Sequence, residues 1–330
     1  MILPQITGML SLKTKLWHQI RCHSTSWKST TFDVTVFDDK NVPFNYELEL
    51  GQANISDQAL SEAAPAILAV HPSGSTYKQW SGLAPLLTPN KFSGLYGLNM
   101  FGYGLSDKWN AEHREQTIQD HVFMVTSAAS AAGKTSWHLI GHSMGAGSVL
   151  ATAGTLTDLT DKLASITVFE PNLFNLLQAG NAEEQRILAD GDGFFKEMMQ
   201  AAKKEDWNTW GRLFYRFWFD GRWDDLDRRT QEVLVGTTVP HTIHEIMSIK
   251  WAINQGHGLA RTMLDTLASL PCKKTMVISA LPGIGSKDSL RALANLLRRE
   301  TGFKVVHAPI GGHMGPLTHR DVVLPLLLPS

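Results

Sequence analysis

Trp137-His138-Leu139-Ile140-Gly141-His142-Ser143-Met144-Gly145-Ala146-Gly147 decides the fold. Trp137 to Ile140 reads as a buried strand, and Ala146 to Leu156 as a helix. Between them stands Gly141-His142-Ser143-Met144-Gly145, a Gly-x-Ser-x-Gly run in strand–turn–helix context. Small flanking residues allow a sharp turn that lifts the Ser143 hydroxyl above a sheet. A chance Gly-rich turn would lack that context. Ser143 is therefore the candidate nucleophile. The Met144 amide opens the helix, where unpaired N–H groups and the helix dipole favour a developing oxyanion.

The pattern around this stretch alternates. Upstream, Thr31 to Phe37 and Phe44 to Leu50 each alternate apolar and polar residues and read as a hairpin joined by Asp38 to Asn41. Ala66 to Val70 is a continuous apolar run, as in a strand buried on both faces. Gly94 to Asn99 reads as a strand and Arg114 to Ala132 as a helix with Ile118, Val122, Val125 and Ala129 on one face. Residues 53–64 read as a solvated loop. Downstream come strands Ile166 to Phe169, Lys274 to Ser279 and Phe303 to His307, and helices Leu290 to Glu300 and Arg320 to Leu328. This order predicts an α/β fold with a mostly parallel sheet covered on both faces.

About a hundred residues between Pro171 and Pro271 have helical periodicity and no core strand. They hold Trp207, Trp210, Trp218, Trp223 and Trp251, five of the ten tryptophans, with Phe214, Tyr215, Phe217 and Phe219 among them. The expected organisation is an N-terminal extension over 1–30, a core over 31–173 and 272–330, and a helical cap over 174–271. Trp210, Phe214 and Trp218 are the candidate substrate contacts, although most cap aromatics serve simply to hold its helices together. Arg212, Arg216, Arg222, Arg228 and Arg229 interleave with Asp220, Asp224, Asp225 and Asp227, which reads as a solvated face.

Composition limits the function classes. The 330 residues are 43% hydrophobic and 18% charged, with net charge −1. That excludes a disordered or collagen-like chain and leaves no general field for nucleic acid. Cys22 and Cys272 are the two cysteines, too few for a disulfide framework or a thiolate cage. No apolar run reaches the roughly 20 residues that span a bilayer, so stable membrane insertion is not expected. Residues 1–32 lack Asp and Glu and carry Lys13, Lys15, Arg21 and Lys28. Two readings stand: an amphipathic helix over Ile6 to Ile20 in a cytoplasmic protein, or an organellar transit segment.

Serine needs a base, and histidine suits that task near neutral pH. Of 13 histidines, His313 lies in Gly311-Gly312-His313-Met314 after the last strand, where a flexible loop can swing the ring over the sheet edge. His307 within a strand and His319 at a helix start read as structural. His142 is poorly placed to bond its neighbour's hydroxyl. His71 opens His71-Pro72-Ser73-Gly74-Ser75, a loop that can aim the Ser73 amide at the same pocket as the second oxyanion donor, and it reads as a brace for that loop. An acid should fall between Ser and His in chain order. Glu170 ends a buried strand, where a carboxylate is costly unless paired. Asp288 at a helix start also qualifies, although a capping role explains it.

Together these features resemble the α/β-hydrolase superfamily over residues 31–173 and 272–330. Leu98-Asn99-Met100-Phe101-Gly102-Tyr103-Gly104-Leu105-Ser106-Asp107 resembles the family's D-x-x-G-x-G-x-S-D loop, with Asn99 where Asp is usual. Pro72 stands where the family usually has Gly. The acid position after the strand that follows the elbow helix is similar to that of some haloalkane dehalogenases, which carry Asp as nucleophile. Here position 143 is Ser. The resemblance implies a serine esterase-like hydrolase that acts on a small-molecule hydrophobic acyl or aryl ester through an acyl-enzyme. It also leaves open thioester hydrolysis, C–C bond hydrolysis, acyl transfer and a non-catalytic binding role. No metal or organic cofactor is implied, and a monomer or homodimer is expected.

Overall fold

The computed structural model describes residues 25–38, 40–55, 63–88 and 91–329. The reading of the N-terminus as a helix or a transit segment falls mainly on residues 1–24, outside that set.

Strand β1 (Trp27–Phe37) pairs antiparallel with β2 (Pro43–Ala53) along its whole length, from Trp27 opposite Ala53 to Phe37 opposite Pro43. Trp27 to Thr30 thus belong to the sheet and not to an extension ending at residue 30. Six further strands follow: β3 (Ala66–Val70), β4 (Leu95–Leu98), β5 (Trp137–His142), β6 (Leu163–Phe169), β7 (Lys273–Ile278) and β8 (Lys304–His307). Their spatial order is β1-β2-β4-β3-β5-β6-β7-β8. β2 meets β4 antiparallel, and every pair from β4 to β8 is parallel.

β3 shows why its sequence reads as an unbroken apolar run. All five residues are buried. Leu68 and Val70 enter one core and Ile67 and Ala69 the other, because successive side chains point to opposite faces. The first core is closed by α1 (Ile118–Ala132), α2 (Met144–Ala153), α6 (Gly256–Ser269) and α7 (Lys287–Thr301) through residues such as Val125, Val149, Leu264 and Leu293. The second is closed by Trp80 and by α9 (Arg320–Leu327) through Val323 and Leu324, after the single turn α8 (Gly315–Thr318).

α1 starts four residues later than its periodicity predicts. Thr117 is its N-cap, and the Thr117 amide donates to Asp120 Oδ2 at 2.7 Å. Arg114 is drawn out of the helix to grip Asp120 with two hydrogen bonds of 2.6 and 2.8 Å. The Asp120 carboxylate is fully buried, so removing Arg114 would leave an unpaired interior charge, costing about 3–5 kcal/mol.

Between β6 and β7 the described residues form a short 3₁₀ turn at Phe174–Ala179 and helices α3 (Ala182–Lys203), α4 (Trp207–Trp218), α5 (Arg228–Asn254) and α6. Helices α3, α4 and α5 pack on one another, and α6 packs on the Phe174–Ala179 turn and on α7, with smaller contacts to α2 and α5. Among the described residues no helix is long and apolar enough to cross a membrane.

Candidate active site

Parallel sheets gather their loops at the carboxyl ends of the strands. His71 follows β3, Asn99 follows β4, Ser143 follows β5, Glu170 follows β6 and Ser279 follows β7. The candidate residues, up to 240 positions apart in sequence, thus arise at one edge.

Ser143 has φ 53° and ψ −116°, a conformation that costs a non-glycine residue about 1–3 kcal/mol. Its surroundings hold it there. The Ser143 amide donates to Phe169 O, and Ser143 O accepts from the Gly147 amide, both at 2.9 Å. The flanking glycines are required by close approach. A Cβ on Gly145 would lie 2.3 Å from Val70 O, and one on Gly141 would lie 2.5 Å from Ala146 Cα. The turn therefore brings α2 hard against β3.

Glu170 is also held in the left-handed region, at φ 45°. Its amide donates to Val277 O at 3.0 Å, anchoring the bend to β7. Its carboxylate is fully buried. Oε1 accepts from the Ser279 amide at 2.9 Å and from the Ser279 hydroxyl. Oε2 accepts from His313 Nδ1 at 2.7 Å. Three donors on one interior carboxylate offset much of its desolvation. With Nδ1–H committed to Glu170, Nε2 is the lone-pair nitrogen available as base.

His313 is fixed from several sides. Leu281 donates to Gly311 O at 3.0 Å, which pins the loop to the segment after β7. Gly311 has φ 91°. His142 Nε2 donates to His313 O at 2.8 Å. Burial holds His142 well below the usual histidine range, so it stays neutral and acts as a brace. Trp218 of α4 stacks on the His313 ring at 4.5 Å and 25°.

The loop after β3 is braced by its own histidine. His71 Nδ1 donates to Pro72 O at 2.8 Å, and Nε2 accepts from the Met100 amide at 3.2 Å. Those roles need the neutral ring, and burial pushes His71 down to about 4. The Gly74 amide donates to Tyr103 Oη at 3.1 Å. Asn99, in place of the usual Asp, donates from Nδ2 to the buried Glu49 Oε2 at 2.7 Å and accepts from the Tyr77 amide at 2.8 Å. An aspartate at 99 would oppose Glu49, so an amide suits this chain.

Ser143, His313, Ser73 and Met144 line one cavity of about 370 Å³. Met144 is the first residue of α2, so its N–H lies among the helix amides without an intrahelical acceptor. Phe214 and Trp218 line the cavity as well. Trp210 does not. It is buried behind the wall, stacked on Phe214 at 5.1 Å, because its position on α4 points it into the helix packing. Asp288 lies exposed in the first turn of α7, away from His313. His307 is exposed on β8, and His319 caps α9. Sequence reading missed Glu245, Thr238 and Thr242 on the cavity wall. Their i, i+4, i+7 spacing on α5 is a one-sided polar stripe, and that was the available signal.

The family described as alpha/beta hydrolase fold matches residues 65–225. No curated protein sequence matches the chain. Among solved structures it is similar to a thermophilic esterase from Thermogutta terrifontis, at 14% identity and TM-score 0.59, over 90% of this chain and 96% of that one. It is similar to a putative lipase from Acinetobacter baumannii at 15% identity and TM-score 0.60, over 96% and 95%. A loop variant of a haloalkane dehalogenase from Bradyrhizobium elkanii aligns at 13% identity and TM-score 0.59, over 90% and 94%. The chain has the α/β-hydrolase fold, with the family's own model matched over residues 65–225.

Proposed function

We propose that the protein is a serine hydrolase that cleaves a small to medium hydrophobic carboxylic ester through an acyl-enzyme. The observation that carries this reading is that His313, hydrogen-bonded through Nδ1 to the buried Glu170, shares one cavity with a serine on a strained turn. In this mechanism His313 Nε2 takes the Ser143 proton as Oγ attacks the acyl carbonyl. Glu170 holds the ring and stabilises the imidazolium. The Ser73 and Met144 amides receive the oxyanion. His313 then protonates the leaving alcohol, and water releases the acyl group by the same steps in reverse order.

Cavity size and lining support the substrate class. At about 370 Å³ the space lies near the lower end of the roughly 300–1,000 Å³ of ligand cavities. Phe195, Phe214, Trp218, Ile246 and Ile249 give it apolar walls. The test is a fluorophosphonate probe followed by intact mass and peptide mapping, with an ester and thioester panel beside it. One adduct on Ser143, absent from Ser143→Ala, is the expected result. A folded protein without an adduct overturns the reading and leaves a binding role.

A further inference from the structure

A single carboxyl group joins the cap to the loop that carries the second oxyanion donor. Glu245 lies on α5, 4% exposed and facing the cavity. Its Oε2 accepts from the Ser73 hydroxyl, across 172 residues of sequence. Its Oε1 accepts from Tyr103 Oη at 3.1 Å. Tyr103 Oη in turn accepts from the Gly74 amide at 3.1 Å. Two consecutive residues of the loop, Ser73 and Gly74, are therefore tethered to one cap side chain, directly and through one phenol. Farther along α5, Ser248 Oγ donates to Glu245 O at 2.7 Å and is 3.2 Å from His121 Nε2. His121 Nδ1 is 2.9 Å from Ser148 Oγ on α2, whose first residue is Met144. The helix thus reaches toward both oxyanion donors.

We propose that Glu245 is a positioning residue that sets the direction of the Ser73 amide and completes the oxyanion hole only when the cap is seated. The proposal rests on the serine-hydrolase reading of Ser143. It accounts for Pro72: a loop with Pro in place of Gly has a fixed φ there, and an outside brace for the next residue replaces lost freedom. It also assigns a chemical role to the one carboxyl group among the described residues that line this cavity.

The groups around Glu245 supply hydrogen bonds but no positive charge. Tyr103 is pushed well above the usual phenol range by burial and by Glu245 itself. His71 packs edge-on to the Tyr103 ring at 4.7 Å, and burial takes it down to about 4. His121, beyond Ser248 on α1, is likewise at about 4. His241, on α5 and against the Tyr103 ring at 4.4 Å, is lowered by burial and by Lys108. His313 faces the same cavity. Burial consequently raises Glu245 to about 7 in spite of its two donors. The neutral acid keeps both contacts with one bond reversed, its own O–H donating to the Ser73 hydroxyl while the other oxygen still accepts from Tyr103 Oη, and it braces the loop without opposing the oxyanion. The carboxylate places a negative charge in the same dry cavity where the oxyanion must form.

The experiment follows Ser143 labelling by a fluorophosphonate and ester turnover from pH 5.5 to 9 in wild type, Glu245→Gln and Glu245→Ala. Wild type should lose activity above about pH 7, approaching tenfold per pH unit. Glu245→Gln keeps a neutral hydrogen-bonding group and should lack that limb. Glu245→Ala should lower kcat at least about tenfold with KM within about threefold, and amide exchange of residues 71–75 should quicken in the folded variant. An alkaline limb that persists in Glu245→Gln, or kcat and exchange unchanged in Glu245→Ala, overturns the proposal alone. A folded wild type that takes no adduct at Ser143 overturns the serine-hydrolase reading and this proposal with it.

Discussion

The two halves of the cavity are built on different principles. The core half stands on the ends of β5, β6 and β7, where the backbone itself is clamped. Ser143 bonds Phe169 O, and Glu170 bonds Val277 O. The cap half stands on α4 and α5, and it touches the chemistry only through side chains: Trp218 on His313 and Glu245 on Ser73. A sheet edge can hold strained φ values because neighbouring strands fix them. A helix pair can be re-aimed by changing one side chain. The core half should therefore govern whether bonds break, and the cap half which substrate is seated and at what pH.

Substitutions can break that division, beginning with the largest effect. Ser143→Ala should lower kcat about 10⁵-fold or more, with the melting temperature nearly unchanged in a thermal scan. Glu170→Gln should lower kcat about 10³–10⁴-fold at nearly constant KM, because the ring loses the carboxylate that orients it and balances its charge. Asp288→Asn, exposed on α7, should leave turnover as it is. Equal losses in the two acid variants would erase the assignment of Glu170.

In the cap half, Trp218→Ala removes both a cavity wall and the stack on His313. It should cost about 3–5 kcal/mol of stability in urea unfolding and at least tenfold in kcat/KM. Trp210→Ala should cost comparable stability, yet turnover per folded molecule should hold, since Trp210 stands behind the wall. A turnover loss as large as that of Trp218→Ala would make the two tryptophans one functional unit.

The smallest effect is on stability against pH. Glu245 has a folded value of about 7, raised from 4.5 by burial. Its contribution is fully present below about pH 4.5 and is lost as pH rises through 7. Unfolding free energies of wild type, referred to Glu245→Gln, should fall by up to about 3 kcal/mol between pH 4.5 and 8. A flat difference would mean that the carboxyl stays solvated when the cap is seated.

Legibility differed sharply along the chain. Ala66–Val70 reads from the sequence with the same bounds that β3 has, because a strand buried on both faces needs an unbroken apolar run. The hairpin reads from alternation, but β1 and β2 extend beyond their alternating cores: Lys28-Ser29-Thr30 pair without a buried face, and in Gly51-Gln52 the buried residue is a glycine with no apolar side chain to mark it. The start of α1 was misread because Arg114 leaves the helical pattern for a tertiary partner. Trp210 and Trp218 look alike as residues. Helical phase against neighbours puts one behind the wall and the other over the His313 ring.

What the sequence determined by itself was local: the strand–turn–helix around Ser143, the apolar strands, the glycines that let loops bend, and the chain order of nucleophile, acid and base candidates. These follow from spacing and side-chain volume. Only the tertiary structure put Glu170, and not Asp288, in hydrogen-bond contact with His313, placed Phe195 and Ile246 rather than Trp210 on the cavity wall, and joined Glu245 to Ser73. Those outcomes depend on contacts between residues more than a hundred positions apart, and a one-dimensional pattern holds no term for the packing that brings them together.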